Sequence, residues 1–242
     1  PEDMARLAAM TRRGQVEWFG SGDCEPVLAS IPHRDRVSQI DALSDKIERL
    51  FGQRPKGAWL TERVWESAVV PSLADTGIEY VAVDDYHFLC AGEPAGRLDG
   101  HFTTEEDGRR LDLFPISEQA RYRLPFSPAE GAVAWLEHLA REGHRAAVYF
   151  DDIEKFGIWP ETYEWVYNKG WLARFVESVL ASPVITTDTL RDSASVIRPL
   201  PHAGRHCGTR SPSGDGAKST RIGMSMRRSS AALLTSTRIA PW

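Results

Sequence analysis

An α/β fold, with a parallel sheet flanked by helices, is what this sequence predicts, and three observations predict it. Strand-like apolar runs alternate with stretches of helical periodicity over residues 1–197. The chain has 242 residues, enough for one large domain or two small ones. Its apolar strands end repeatedly in acids, at Glu62, at Asp84/Asp85 and at Asp151/Asp152. That is the pattern of parallel strands whose C-terminal ends gather in one mouth, where α/β barrels keep their functional groups.

The elements follow in order. Gly14 to Phe19 reads as a strand, closed by a turn at Gly20-Ser21-Gly22-Asp23. Val37, Ile40, Leu43, Ile47 and Leu50 recur at spacings of three and four, and Gly52 stops the run, which predicts an amphipathic helix. Gly57 to Thr61 is a short strand running into Glu62-Arg63. Ser67 to Thr76 predicts a helix closed by Gly77, with Pro71 tolerated near its first turn. Glu79 to Val83 is a buried strand, and Arg110 to Pro115 another. Ser127-Pro128-Ala129-Glu130 reads as a capping box opening a helix with Val133, Leu136 and Leu139 on one side. Arg145 to Phe150 is a strand, Glu161 to Ala181 one long helix, and Pro183 to Thr186 the last strand.

Composition narrows the classes. With 42% hydrophobic and 26% charged residues the balance is that of a soluble globular protein, and no apolar run approaches the ~18 residues of a membrane span. A net charge of −5 gives no overall pull toward nucleic acid or membrane. Cys24, Cys90 and Cys207 are too few and scattered for a disulfide framework and show no CxxC pair, which fits a reducing, cytoplasmic setting. The N-terminus lacks a signal-peptide pattern and an initiator Met, so the sequence is expected to start inside a longer chain. From Arg198 to Trp242 eight basic residues face one acid, a net of +7 that leaves −12 on residues 1–197. This Ser-, Thr- and Gly-rich stretch shows neither helical nor strand period and is expected to be disordered, or translated from a shifted frame. The expected division is therefore a barrel-like domain over 1–197 and a basic tail over 198–242.

The strand-exit acids carry the chemistry. Alternation puts Glu62 on the face of Leu60, and Asp152 on the face of Phe150 and Val148, so one of the two aspartates points into the mouth. Two carboxylates across a cleft are the usual equipment for cleaving a glycosidic bond, with retention at ~5–5.5 Å and inversion at ~6.5–9.5 Å. The apolar neighbour Phe150 would raise the pKa of Asp152 and the cation Arg63 would lower that of Glu62, which suits them as proton donor and ionised nucleophile. Trp59 and Trp159 flank these acids and are candidates for site lining. Trp135, Trp165 and Trp171 read as core.

Trp59-Leu60-Thr61-Glu62-Arg63-Val64-Trp65, Val83-Asp84-Asp85-Tyr86-His87-Phe88 and Asp151 to Trp159, in this order, resemble glycoside hydrolase family 57, nearest its 4-α-glucanotransferase and α-amylase-like members. Gly14-Gln15-Val16-Glu17 and Glu25 to Pro32 match further family segments, and the likeness runs from about Arg12 to Thr187. The resemblance implies an incomplete (β/α)7, TIM-barrel-like fold acting with retention on α-1,4-glucan or malto-oligosaccharide, without cofactor or catalytic metal. It implies Glu62 as nucleophile, Asp152 as general acid/base, and Glu17, Trp59, Glu154 and Trp159 as subsite lining. The family's first motif and its regions after the barrel are absent; Phe150 replaces a His or Gly, and Ile153 a Gly. A truncated, inactive fragment is the first alternative. A metal-dependent polysaccharide deacetylase using His87 is the second; it would need an H-x3-H spacing, found here only at His202–His206 in the tail.

Overall fold

Short β-rich runs separated by amphipathic helices give the chain one way to bury both faces of a sheet, by crossing over with helices between parallel strands. The computed structural model describes residues 2–196 and the backbone of 231–234. Helix α1 is Glu2–Arg12, and β1, Phe19–Gly20, leads to α2, His33–Phe51, and then to β2, Gly57–Ala58. After α3, Val70–Asp75, come β3, Tyr80–Asp84, and α4, Asp85–Cys90. Strands β4, Phe102–Glu106, and β5, Arg109–Ile116, form a hairpin, followed by α5, Glu118–Arg123, and α6, Ala129–Arg141. Strand β6, Ala146–Val148, α7, Trp171–Ala181, β7, Ile185–Asp188, and α8, Leu190–Val196, complete the main run, and β8 is Ala231–Leu234.

The sheet order is β1-β2-β3-β5-β6-β8-β7 with every one of these pairs parallel; β4 alone is antiparallel, added to β5. The ladder is open, with β1 and β7 at its ends. Those ends nevertheless approach, since the Arg191 N–H, just after β7, donates to Glu17 Oε2, just before β1, at 3.2 Å.

Alternation along the strands sorts side chains between two faces. On one face Tyr80 and Ala82 of β3, Phe114 and Ile116 of β5, and Ala146 and Val148 of β6 form a single cluster with Phe19, Trp59, Phe150 and Leu190. On the other, Val81, Val83, Leu111 and Leu113 pack against Ile40 of α2 and Leu73 of α3. Ala147 packs there against Val133 and Leu136 of α6 and Trp171, Phe175 and Val179 of α7. Register explains the glycine in β2. Phe19, Gly57 and Tyr80 stand in one row, and a Cβ at Gly57 would overlap both aromatic rings.

Several expectations need correction. Of the segment Gly14–Phe19 only Phe19 enters a strand, Phe19–Gly20, and Val16 makes an isolated bridge. The helix expected over 161–181 is broken: a π-turn at Glu164–Asn168 is followed by Gly170 at φ 70, which restarts the chain as α7. Ser127 does not cap α6, whose N-cap is Pro128 without a side-chain bond; the Ser127 carbonyl instead accepts from Trp171 Nε1 at 2.6 Å. Four residues of the tail expected to be disordered, Ala231–Leu234, form β8 between β6 and β7, where an apolar stretch can satisfy two strand edges at once. The rest of the tail, with the frame-shift expectation, lies outside the described residues. Trp171 is fully buried, as a core residue should be.

Candidate active site at the carboxyl edge of the sheet

Each parallel strand from β2 to β6 delivers polar groups where it ends. After β2 the chain turns through Thr61–Arg63, with Glu62 (φ 56, ψ 16) and Arg63 (φ 56) both left-handed. Two non-glycine residues in this region in succession are uncommon and cost energy. The corner sends the two side chains apart. Glu62 is exposed and its carboxylate makes no hydrogen bond or ion pair among the described residues, whereas the Arg63 side chain is only 18% exposed. Because β2 stops at Ala58, strand alternation does not govern Glu62, and the shared face expected with Leu60 does not apply.

Arg63 reaches across the strand ends. Its Nη1 donates to Asp152 Oδ2 at 3.5 Å, and its Nε pairs with Asp84 Oδ2 at 3.3 Å, an ion pair outside hydrogen-bond alignment. Asp84 is the last residue of β3 and precedes α4. Its other oxygen accepts from Arg121 Nη1 at 3.3 Å. Arg121 is placed by α5, whose N-terminus is fixed twice: Ser117 Oγ accepts from the Ala120 N–H at 3.2 Å, and Asp85 Oδ2 accepts from the Glu118 N–H at 3.0 Å. Burial raises the pKa of Asp85, a tendency opposed by that N–H.

Beyond β6 the paired aspartates divide. The Asp151 side chain is 1% exposed. It pairs with Lys155 one turn on, with Arg121 Nε at 3.1 Å, and accepts from Arg121 Nη2 at 3.3 Å and from the Asp152 N–H at 2.9 Å. Burial alone would raise its pKa, but Lys155 and Arg121 outweigh burial and hold the carboxyl below its ordinary range. Asp152, 40% exposed, is the member that faces the open side. The two aspartates thus differ sharply in exposure, at 40% for Asp152 and 1% for Asp151. The charge asymmetry read from sequence is not the one the fold makes, because Arg63 turns its cation to Asp152 and away from Glu62. Ile153 has no positive φ and sits exposed in the 3-10 turn Ile153–Phe156, so the backbone there is not forced.

Aromatic groups sit on either side. Trp59 stacks on Phe150 with centroids 5.2 Å apart, and the Arg63 guanidinium lies 5.9 Å from its ring. Phe150 also meets Phe19, with ring centroids 4.7 Å apart, so it is part of the sheet's packing. Trp159, 43% exposed, stacks on Phe126 at 6.1 Å, with Lys155 Nζ 5.9 Å from the ring. The Glu154 side chain is exposed, while its carbonyl accepts the N–H groups of Gly157, Ile158 and Trp159 and so folds the loop that carries Trp159. Glu17 lies apart from this edge group, 5% exposed, accepting from the Tyr80 hydroxyl and the Arg191 N–H. Desolvation raises its pKa against those hydrogen bonds.

Reasoning from the sequence missed Arg121 and gave Lys155 no role. Lys155 had a local signal, four residues after Asp151 on a turn; Arg121 had none, because its partners lie 37 and 30 residues away. Among the described residues no three His, Cys, Asp or Glu side chains gather as a possible metal site, His87 included, and the strand-end acids are already bridged by guanidinium groups.

Carboxylates gathered on the C-terminal edge of a parallel sheet, with exposed aromatic rings beside them, mark an α/β protein with a candidate site at the strand ends. The chain belongs to Glycosyl hydrolase family 57, whose profile matches residues 3–199. It is 44% identical over 200 residues to the 4-alpha-glucanotransferase of Thermococcus litoralis, covering 82% of this chain and 30% of that protein. It is 46% identical over 186 residues to an alpha-amylase of Pyrococcus abyssi, covering 76% of this chain and 28% of that one. The crystal structure of the Thermococcus litoralis enzyme superposes with a TM-score of 0.79, over 83% of this chain and 31% of the other. The chain thus spans about 30% of the length of the relatives it matches.

Proposed function

We propose that this chain carries the catalytic pair of a retaining enzyme acting on α-1,4-glucans, of 4-α-glucanotransferase or α-amylase type, on an incomplete (β/α)7 barrel. Glu62 is the nucleophile and forms the glycosyl-enzyme; Asp152 protonates the leaving oxygen and then, as base, activates the incoming hydroxyl. Trp59, Glu154 and Trp159 line the subsites. A malto-oligosaccharide in a cytoplasmic setting is the substrate, and whether sugar or water accepts the glycosyl group separates transferase from amylase. The observation that carries the reading is the Arg63–Asp152 contact, which brings the residue next to Glu62 against the second acid across the strand ends. The relatives' names support the substrate class.

Chromatography of maltoheptaose products tests the proposal. Longer oligosaccharides indicate transfer and shorter ones alone indicate hydrolysis, and Glu62→Gln should lower turnover by at least ~10³-fold with the fold intact, as loss of a covalent nucleophile requires. Full activity in that variant overturns the assignment. The 30% coverage of the relatives favours one second reading, a chain that binds glucan without turning it over. Retardation in starch-containing gels without product would identify it.

A further inference from the structure

Two tyrosines stand together at the foot of the loop that carries Trp159. Tyr163 is 59% exposed and Tyr167 49%, and their ring centroids lie 5.1 Å apart with the planes tilted by 43°. Tyr163 leads into the π-turn Glu164–Asn168, which the Lys169 N–H closes by donating to the Glu164 carbonyl at 2.8 Å, so residues four apart share a face. Gly157 seats the pair. Its φ is 154, and a Cβ there would stand 3.1 Å from the Tyr167 ring and 3.5 Å from that of Tyr163. Trp159 follows two residues later, at most ~7 Å of backbone away. The neighbouring row of the π-turn is polar and exposed, with Asn168 donating to Glu164 at 2.6 Å. Between Trp159 and the pair, the exposed Glu161 is held left-handed at φ 64, an uncommon place for a residue with a side chain.

We propose that Tyr163 and Tyr167 form a sugar-binding platform that carries an α-glucan chain past Trp159. The C–H edges of a glucose unit are apolar and slightly positive, and an aromatic face is negative, so the two stack. Two rings tilted against each other suit two successive units of a chain that its α-1,4 linkages curve. Glu161, Glu164 and Asn168 place acceptors and a donor amide at the rim, where sugar hydroxyls would meet them. An aliphatic docking face would need none of these groups. Residues 161–169 carry Glu161 and Glu164 against Lys169, which disfavours an anionic lipid surface as the occupant. The choice of glucan rests on the proposed function; the platform rests on the placing of the two rings.

Electrophoresis of the full chain through gels of graded soluble-starch content gives a dissociation constant for each variant. Changing both tyrosines to Ala should weaken starch binding about tenfold, the scale of two lost ring contacts. Changing both to Phe keeps the rings and should leave binding within about twofold. Changing both to Leu keeps apolar bulk against Gly157 but removes the rings, and should weaken binding as much as Ala does. No retardation of the unaltered chain, unchanged binding in the Ala pair, or full binding in the Leu pair overturns the proposal; the last would mark a general apolar face. If the Ala pair does not fold by circular dichroism, the Leu and Phe pairs decide. Retardation needs no turnover, so the two readings fail separately. Full activity in Glu62→Gln refutes the catalytic reading and leaves the platform standing, whereas an inactive Glu62→Gln beside an Ala pair that binds starch normally refutes the platform alone.

Discussion

Asp151 is the residue on which the local geometry turns. It is buried, carries two cations and holds the Asp152 amide. Asp151→Asn leaves Lys155, itself 4% exposed, without its counter-charge, and should cost about 3–5 kcal/mol at neutral pH. The sign with pH follows from the lowered folded pKa: the stabilisation is complete above the ordinary value of 3.8 and is lost as pH falls below it through the folded value. Urea unfolding of both proteins should therefore show the gap narrowing below about pH 4. Glu17 runs the other way. Burial raises its folded pKa, so its ionisation costs stability as pH rises from the ordinary 4.5 to the folded value. At this scale the sequence was informative about which acids leave strands, and the contrasting surroundings of Asp151 and Asp152 came from the fold. The sequence was misleading about Arg63, because adjacency to Glu62 along the chain says nothing about where a left-handed corner points the guanidinium.

At the scale of elements, the aromatic row over Gly57 makes a sharp prediction. Gly57→Ala must push back Phe19 and Tyr80, whose rings meet at 6.0 Å, and should destabilise by about 1–3 kcal/mol in thermal or urea unfolding. An unchanged midpoint would mean that the rings are not locked there. Hydrophobic periodicity found α2 and α6 and the strands β3, β5 and β6, because each buries a stripe or a face against the sheet. It missed β4, though Asp107-Gly108 is a hairpin turn signal, since Phe102–Glu106 is polar at four of its five positions and lies on the sheet's margin. It also joined Glu161 to Ala181 into one helix, since apolar spacing continues across Gly170 although the backbone does not.

For the whole molecule, the parallel sheet and helical cover were legible, and the position of β8 was not. Four apolar residues in a basic stretch have no period to read, and their place between β6 and β7 depends on two strand edges far away in the sequence. Removing residues from Ser230 onward should expose the β6 edge and increase hydrogen exchange at Ala146–Val148. Unaltered protection there would show that β6 needs no partner on that side.

The left-handed corner at Glu62 and Arg63 has a bearing on directed evolution. Glycine at position 62, whose side chain makes no hydrogen bond or ion pair among the described residues, relieves a backbone penalty of roughly 1–2 kcal/mol, whereas at position 63 it would also break the ion pairs to Asp84 and Asp152. A screen that rewards heat tolerance alone will therefore drift toward glycine at position 62, trading away the carboxylate. Selection for the proposed glucan turnover would have to accompany the heating step, since at this corner durability and the carboxylate pull in opposite directions.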